Sequence, residues 1–468
     1  MSSFIFPLIT FPYVSRILLP VGTGKVSFAT SLINYFNMIA QLGIPTYGIR
    51  ACARVRDNKE ELSRTAHELL IINLVMTVIS YIALAMCLLF VPRLQDDRNL
   101  YIIVSFTIIL TSIGMEWLYK GLEQYTYITK RSIIFKFIAL IAMFLLIHKK
   151  SDYVIYGGIS IFAASASNVM NFINAHHYIY MHPVGNYHPM RHMKAVLIFF
   201  AMSVATTIYT NLDTVMLGFM TTDADVGYYN AAVKIKTVLV SVVTSLGTVL
   251  LPRASYYVEH HEIKEFREIT NKAINFVILL ATPLMLYFIL FAKEGIYFLS
   301  GSAYVGSVLP MQIIMPTLLF IGISNILGIQ ILVPLGKERV VLFSEIIGAI
   351  VDLIINALLI PQYKSAGAAF GTLIAELVVD LWQYKATRKR VNSAFKQIHY
   401  GYIILGLILG TVSSLWLKLL GLSSFITLVV SAILFFGVYL GILLLFKEPL
   451  TTSITKQVLK KIYIGHTV

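Results

Sequence analysis

The sequence predicts an all-α polytopic membrane protein of about fourteen transmembrane helices, arranged as two six-helix lobes around a central cavity with two further C-terminal helices. Three observations carry that prediction. The 468 residues are 57% hydrophobic and only 13% charged, with a mean hydropathy of +0.78, which leaves too little charge for a water-facing surface. Apolar runs of eighteen or more residues recur from end to end, each long enough to cross a hydrocarbon core. The positive charges are distributed unevenly between alternate connections.

The spans fall near 2–19, 26–48, 67–91, 100–117, 132–148, 154–181, 195–219, 228–251, 272–292, 309–332, 340–361, 366–385, 400–420 and 423–446. With the N-terminus inside, cytoplasmic segments hold 25 of the 37 Lys and Arg residues and exoplasmic segments about 8; Arg16, Lys136, Lys234 and Lys236 remain within spans. The densest inner loops run Arg50-Arg54-Arg56-Lys59-Arg64 and Lys385-Arg388-Lys389-Arg390-Lys396, whereas Asp223 and Asp225 lie in an outer turn. Both termini are therefore expected in the cytoplasm. The net charge of +14 reads as a topology signal with some attraction to anionic membrane lipids, not as nucleic-acid binding. The first apolar run opens without a basic n-region or a small-residue cleavage site, so no cleavable signal peptide is expected. Cys52 and Cys87 lie in or beside predicted helices, so neither a disulfide framework nor a zinc site is expected.

A weak internal repeat links Leu18–Ala29 to Leu217–Ala232. Both segments leave an apolar helix, cross a short outer turn and re-enter through Gly, an aromatic residue and Ala. Gly24 and Gly227 are 203 residues apart (227 − 24), an offset of six helices that relates the halves about an axis along the membrane normal. The expected domains are residues 1–194 and 195–399 as the lobes, and 400–468 as two extra helices with a basic cytoplasmic tail. Helix breakers stand at Pro7, Pro12, Gly43, Pro45, Gly48, Pro283 and Pro316, where freed backbone groups need neighbours or cavity water.

Ionisable groups within a bilayer cost roughly 2.5–3.5 kcal/mol each on insertion scales, so each is a functional candidate. Arg16 precedes the outer end of the first span by three residues and Asp213 that of the seventh by six, a depth of about 9 Å for Asp213 at 1.5 Å per residue. Lys234 and Lys236 lie in the outer part of the eighth span; only one faces inward well, and Lys234 is the expected one, with a structural Asp213–Lys234 ion pair as the plainer alternative. Asn168, Asn171 and Asn174 share a face of the sixth helix, either as a polar lining or as glue between helices. Glu345, Asp352 and Asn356 line one face of the eleventh, and Thr372, Glu376 and Asp380 one face of the twelfth; the four acids are candidate ion-coupling groups. An apolar path with a few outer cations suits an amphiphile with an anionic head, since Arg and Lys recognise phosphate and amides recognise sugar hydroxyls.

The stretch Phe11-Pro12-Tyr13-Val14-Ser15-Arg16-Ile17-Leu18, then Pro20, Gly22, Gly24-Lys25 and Phe28-Ala29, resembles the opening signature of bacterial polysaccharide flippases, the O-antigen or capsule repeat-unit translocases of the multidrug/oligosaccharidyl-lipid/polysaccharide exporter superfamily. Leu42-Gly43-Ile44-Pro45-Thr46-Tyr47-Gly48-Ile49-Arg50, running into Arg54-Val55-Arg56-Asp57, resembles that family's second helix and first inner loop. Asn211-Leu212-Asp213, Met216-Leu217-Gly218 and Val226-Gly227-Tyr228-Tyr229-Asn230-Ala231-Ala232-Val233-Lys234-Ile235 resemble its seventh and eighth helices. One departure is that Met1-Ser2-Ser3-Phe4 starts within the first helix, where family members have a longer lead.

The resemblance implies a bacterial inner-membrane flippase that moves undecaprenyl-pyrophosphate-linked oligosaccharide by alternating access. It implies no cofactor or resident metal, an H+ or Na+ gradient as the energy source, and a polysaccharide polymerase and chain-length regulator as partners. It carries a cavity role onto Arg16, Arg50, Asp213 and Lys234. Two other functions compete. A multidrug antiporter is expected to use a buried acid in the first lobe, and the first two helices hold none. A polymerase or glycosyltransferase needs a catalytic loop, and the Asp223/Asp225 pair sits in a tiny turn suited to capping.

Overall fold

A computed structural model describes the backbone of residues 2–453, 455 and 456, and their side chains apart from residues 2–8, 246, 248 and 249. The tail over residues 457–468 lies outside the described residues. The described chain is helical almost throughout: α1 Ser2–Gln41, α2 Ile44–Arg54, α3 Lys59–Phe90, α4 Pro92–Gln95, α5 Arg98–Ile113, α6 Glu116–Gly121, α7 Tyr125–Leu146, α8 Tyr153–Ile161, α9 Ser167–Asn174, α10 Met190–Met220, α11 Asp223–Glu259, α12 Ile263–Leu290, α13 Ala292–Ser300, α14 Val308–Ile314, α15 Thr317–Ser324, α16 Glu338–Lys396, α17 Tyr400–Leu415 and α18 Ser424–Leu445. Two π-helical turns, Phe162–Ala166 and Asn325–Leu332, continue α8 and α15. Backbone amides in lipid must be satisfied within the chain, which is why the apolar runs become helices.

Eight of the described helical stretches are long and apolar enough to cross a membrane, and ten if each of two bent pairs counts as one span. That is fewer than the fourteen spans expected, and two of the long helices carry internal breaks. The backbone leaves helical geometry at Leu19 (φ 59°, ψ 178°) within α1, the last residue of the expected first span, and at Lys364 (φ 52°, ψ −127°) within α16, between the expected eleventh and twelfth spans. At Lys364 the chain doubles back. Gln383 Nε2 donates to Ser344 Oγ at 2.9 Å, and a methyl group on Gly371 would fall 2.2 Å from Asn356 Oδ1. These two pairs share one antiparallel register.

Other expectations meet local backbone chemistry. The second span stops at Gln41, seven residues early, because Leu42 and Gly43 both take positive φ (44° and 74°). Pro45 then stands in the first turn of α2, where a missing N–H costs nothing. Pro316 separates α14 from α15 in a span bent by 46°. Pro283, in contrast, sits inside an unbroken α12.

The chain forms two compact units, Met1–Asn230 and Ala231–Val468, so the dividing point lies within α11. The first unit has one core around Leu69, Tyr119, Trp117 and Val196 and another around Val14, Leu18 and Met143. The second is centred on Val277, Ile331 and Tyr439, and there α17 and α18 pack against α12.

Candidate transport site

The acids of α16 are the most concentrated polar feature of the second unit. Asp352 and Asn356 are buried (2% and 0% exposed), as is Glu376 (6%), while Glu345 and Asp380 are half-buried. The register of the hairpin brings the two expected stripes face to face. A methyl group on Gly371 would lie 3.0 Å from Asp352 Oδ1 as well as against Asn356. Glycine at 371 is what permits this approach. Asp380 follows Glu376 by one turn, and its Oδ1 is buried without a hydrogen-bond donor. Ionisable groups buried in a membrane helix pair are costly, which marks this hairpin as a candidate site.

In the first unit, the Asn-Leu-Asp motif of α10 meets the Tyr-Tyr-Asn motif of α11. Tyr229 Oη donates to the Asp213 carboxylate, and Asn230 Nδ2 lies 3.4 Å from Thr214 Oγ1. Asn34 Nδ2 on α1 donates to Asn211 Oδ1 at 3.1 Å. Asp213 is buried, and Lys234, one turn beyond Asn230, is half-buried. Arg16 and Arg50 are both exposed. Arg16 Nη1 donates to the Pro12 carbonyl at 2.5 Å, and the Arg50 guanidinium lies 5.8 Å from the centre of the Phe199 ring.

The amide stripe is turned into protein. Met115 takes a positive φ of 40° and breaks the helix between α5 and α6, leaving the Gly114 carbonyl to be satisfied from outside. Asn171 Nδ2 supplies that bond at 2.8 Å. The Asn171 carbonyl accepts from Tyr119 Oη at 2.5 Å, and Asn174 Nδ2 lies 3.4 Å from the same phenol. Asn168 Oδ1 lies 3.3 Å from Arg131 Nη1. These amides therefore join helices, the second of the two roles open to them.

Two networks were not foreseen from sequence. In one, Lys25 and Asp97 pair at 2.9 Å, and Tyr153 Oη donates to the same carboxylate at 2.8 Å. Arg93 pairs with Asp223, donates to the Gly218 carbonyl at 3.0 Å and lies 5.4 Å from the centre of the Phe28 ring. Asp225 has the expected turn role, accepting from Thr222 Oγ1 at 2.7 Å. In the other, Glu68 is 0% exposed. It accepts from the His188 amide at 2.7 Å and from Arg191 Nε at 2.8 Å, and it meets His192 Nε2 at 2.7 Å. Tyr47 Oη closes the chain on His192 Nδ1 at 2.7 Å. The signal available was one acid in the first turns of an apolar span, but its partners lie 120 to 124 residues away in sequence.

Helices of this length, bent at prolines and carrying buried acids, define an all-α multi-pass membrane protein with the fold of membrane transporters. The chain belongs to the family described as Polysaccharide biosynthesis protein, whose pattern matches residues 1–258. A second pattern, MatE, matches residues 199–358. Over 387 residues the chain is 26% identical to a protein named "Putative O-antigen transporter" from Escherichia coli (strain K12), covering 81% of this chain and 91% of that one. A protein of the same name from Shigella dysenteriae is 25% identical over 83% of this chain and 97% of its own. Among solved structures, the lipid II flippase MurJ in an inward closed conformation superposes with a TM-score of 0.70 at 16% identity, over 95% of this chain and 97% of MurJ. An inward-facing multidrug resistance MATE family transporter of the MOP superfamily gives 0.64 at 15% identity, over 84% and 95%. At these identities the structural likeness speaks to the fold.

Proposed function

We propose that this protein is a flippase that moves polyprenyl-diphosphate-linked oligosaccharide repeat units across the bacterial inner membrane, from the cytoplasmic to the periplasmic leaflet. The observation that carries this reading is family membership over residues 1–258, joined to relatives named as O-antigen transporters along more than four-fifths of the chain. Transport proceeds by alternating access between lobes of residues 1–194 and 195–399, with both termini cytoplasmic and α17 and α18 appended. The protein binds and reorients its substrate and makes or breaks no covalent bond. Arg16, Arg50, Asp213 and Lys234 serve the diphosphate and glycan along the path. Asp352 and Glu376, with Glu345 and Asp380, couple an H+ or Na+ gradient to the cycle, and a polymerase and chain-length regulator receive the product.

The MatE match over residues 199–358 makes drug extrusion the second reading. Export of organic cations calls for an available acid in the first lobe. The buried acids there are already engaged, Glu68 by Arg191, His192 and the His188 amide and Asp97 by Lys25 and Tyr153, which favours the anionic substrate.

The test is deletion of the gene in its host, scored for surface polysaccharide and for lipid-linked repeat units. Lost polymer, with repeat units accumulating on the cytoplasmic side, is the expected result. Intact polymer with new sensitivity to cationic dyes transfers the function to drug extrusion.

A further inference from the structure

The register of the α16 hairpin also sets Lys337, in the turn before α16, opposite Arg390 near its end, and a half-open recess of about 410 Å³ forms there. Lys337, Lys385, Arg388, Lys389 and Arg390 line it, over a floor made by Thr387. Thr387 is 1% exposed, and its hydroxyl is tied back to the Gln383 carbonyl at 2.8 Å. The turn itself is set by Gly336 at φ 68° and by the Lys337 amide bonded to the Leu332 carbonyl at 2.9 Å.

Among the described residues, none of these five cations has an ion pair or a side-chain hydrogen bond, and Glu338 beside them bonds none of them. Several other cations of the inner segments are paired: Arg56 with Glu123, Arg64 with Glu60, Lys120 with Glu116 and Arg191 with Glu68. Five like charges around one recess repel one another unless an anion enters from outside. One turn back toward the membrane, Leu381 and Trp382 are 56% and 43% exposed. Trp382 lies three residues before Lys385 and seven before Lys389, so all three share a helix face. An exposed aromatic above a cationic cluster is the arrangement of a lipid interface, with acyl chains above and the phosphate below.

We infer that this recess binds the phosphate of an anionic phospholipid of the inner leaflet. The site goes beyond the flippase function and holds for any transported cargo. Oriented phosphate ligation on the inner ends of both arms of α16 couples lipid composition to the hairpin that carries Asp352 and Glu376.

The experiment uses the full-length protein carrying Trp416→Phe, in phosphatidylcholine vesicles doped with brominated phosphatidylglycerol or, in parallel, brominated phosphatidylcholine. Trp117 is 3% exposed, so lipid quenching reports mainly on Trp382. Each Lys or Arg near an anionic surface is worth about a fivefold change in occupancy. The anionic lipid is therefore expected to quench at much lower mole fraction than the neutral one, and K385Q/R388Q/K389Q is expected to lose that preference at least about fivefold. K264Q/R267Q/K272Q removes the same charge elsewhere on the inner side and is expected to leave it intact. Equal quenching by the two lipids in the parent overturns the proposal, as does equal loss in both triple variants, which reduces the effect to general surface charge. Displacement of the brominated phosphatidylglycerol by micromolar farnesyl diphosphate also overturns it, by assigning the cations to the diphosphate of a polyprenyl carrier. None of these outcomes depends on whether gene deletion abolishes polysaccharide, so the two readings fail separately.

Discussion

Gly24 and Gly227, the two glycines that anchor the sequence repeat, lie against each other's outer turns. A methyl group on Gly24 would fall 1.8 Å from the Asp223 carbonyl oxygen and 2.9 Å from the Gly227 amide nitrogen, and one on Gly227 would fall 2.1 Å from the Pro20 carbonyl oxygen. The repeat therefore marks a backbone-to-backbone crossing that admits no side chain at either position. Both obstacles are backbone atoms, so relief requires the turns to separate.

Gly24→Ala and Gly227→Ala are accordingly expected to spread these turns at a cost of about 1–3 kcal/mol. Surface polymer should fall severalfold at normal protein abundance, while impermeant thiol reagents added outside should label a cysteine at Thr222 faster than in the parent. Gly441→Ala, with nothing within 4 Å of the added methyl, serves as the control. Unchanged labelling in both glycine variants counts against the crossing.

Arg93 joins the Asp223 carboxylate, the Gly218 carbonyl and the face of Phe28 at once. A lysine carries the charge but not the planar fork. Arg93→Lys is expected to resemble Arg93→Ala in transport, with Asp223→Asn milder than both. Full activity of Arg93→Lys indicates that charge alone suffices.

Glu68 is a fully buried carboxylate held by the Arg191 guanidinium, the His188 amide and the His192 imidazole. Removing the carboxylate leaves the buried His192 ring and the His188 amide without their acceptor, at about 1–3 kcal/mol, while Arg191 stays half exposed to solvent. Glu68→Ala is expected to lower the melting temperature of the purified protein by several degrees and reduce its abundance. Tyr47→Phe removes one hydrogen bond to His192 and is expected to cost about 1 kcal/mol. The double variant separates direct coupling from additivity.

Glu448, beyond the last span, accepts from the Thr451 amide at 2.6 Å and from Asn275 Nδ2 at 2.9 Å. Burial disfavours its charged form, yet these donors outweigh burial and hold its pKa below the ordinary value of 4.5. A carboxyl depressed on folding stabilises the protein above its unfolded pKa and loses that contribution as pH falls through the folded one. Glu448→Gln is thus expected to lower the melting temperature between pH 5 and 7, with the difference from the parent shrinking below about pH 4.

Asp352→Asn combined with Glu376→Gln is expected to uncouple transport from the ion gradient. Residual polymer formation in that variant should no longer respond to an uncoupler or to sodium removal, whereas the parent should respond to one of them. A response equal to the parent's places the coupling acids elsewhere.

Much of this architecture was legible in the sequence because hydropathy and charge asymmetry act residue by residue. The last two spans, expected at 400–420 and 423–446, appear as α17 with its 3-10 turn to Leu420 and as α18. The reversal at Lys364 lies between two expected spans. The π-helical turns and the positive φ of Met115 left no such mark, because they depend on partners such as Asn171 and Tyr119 that only tertiary packing supplies. The faces of Asp352 and Glu376 followed from helical spacing, and the close seating of Asp352 and Asn356 on the second arm depends on Gly371. Glu68 escaped notice for the opposite reason: a lone acid near a helix start looks like an interfacial charge until His192 and Arg191 close around it.

The central claim is tested most directly with the purified protein in vesicles containing a lipid-linked oligosaccharide in both leaflets. An impermeant glycan-cleaving enzyme is added outside, with a proton or sodium gradient imposed. Vesicles lacking the protein should protect about half of the substrate, set by bilayer symmetry alone. With the protein present, the protected pool is expected to become cleavable, and Gly24→Ala to slow that conversion. Persistence of the protected half under both gradients, with the protein intact and folded, contradicts the assignment of this chain as a flippase for lipid-linked oligosaccharides.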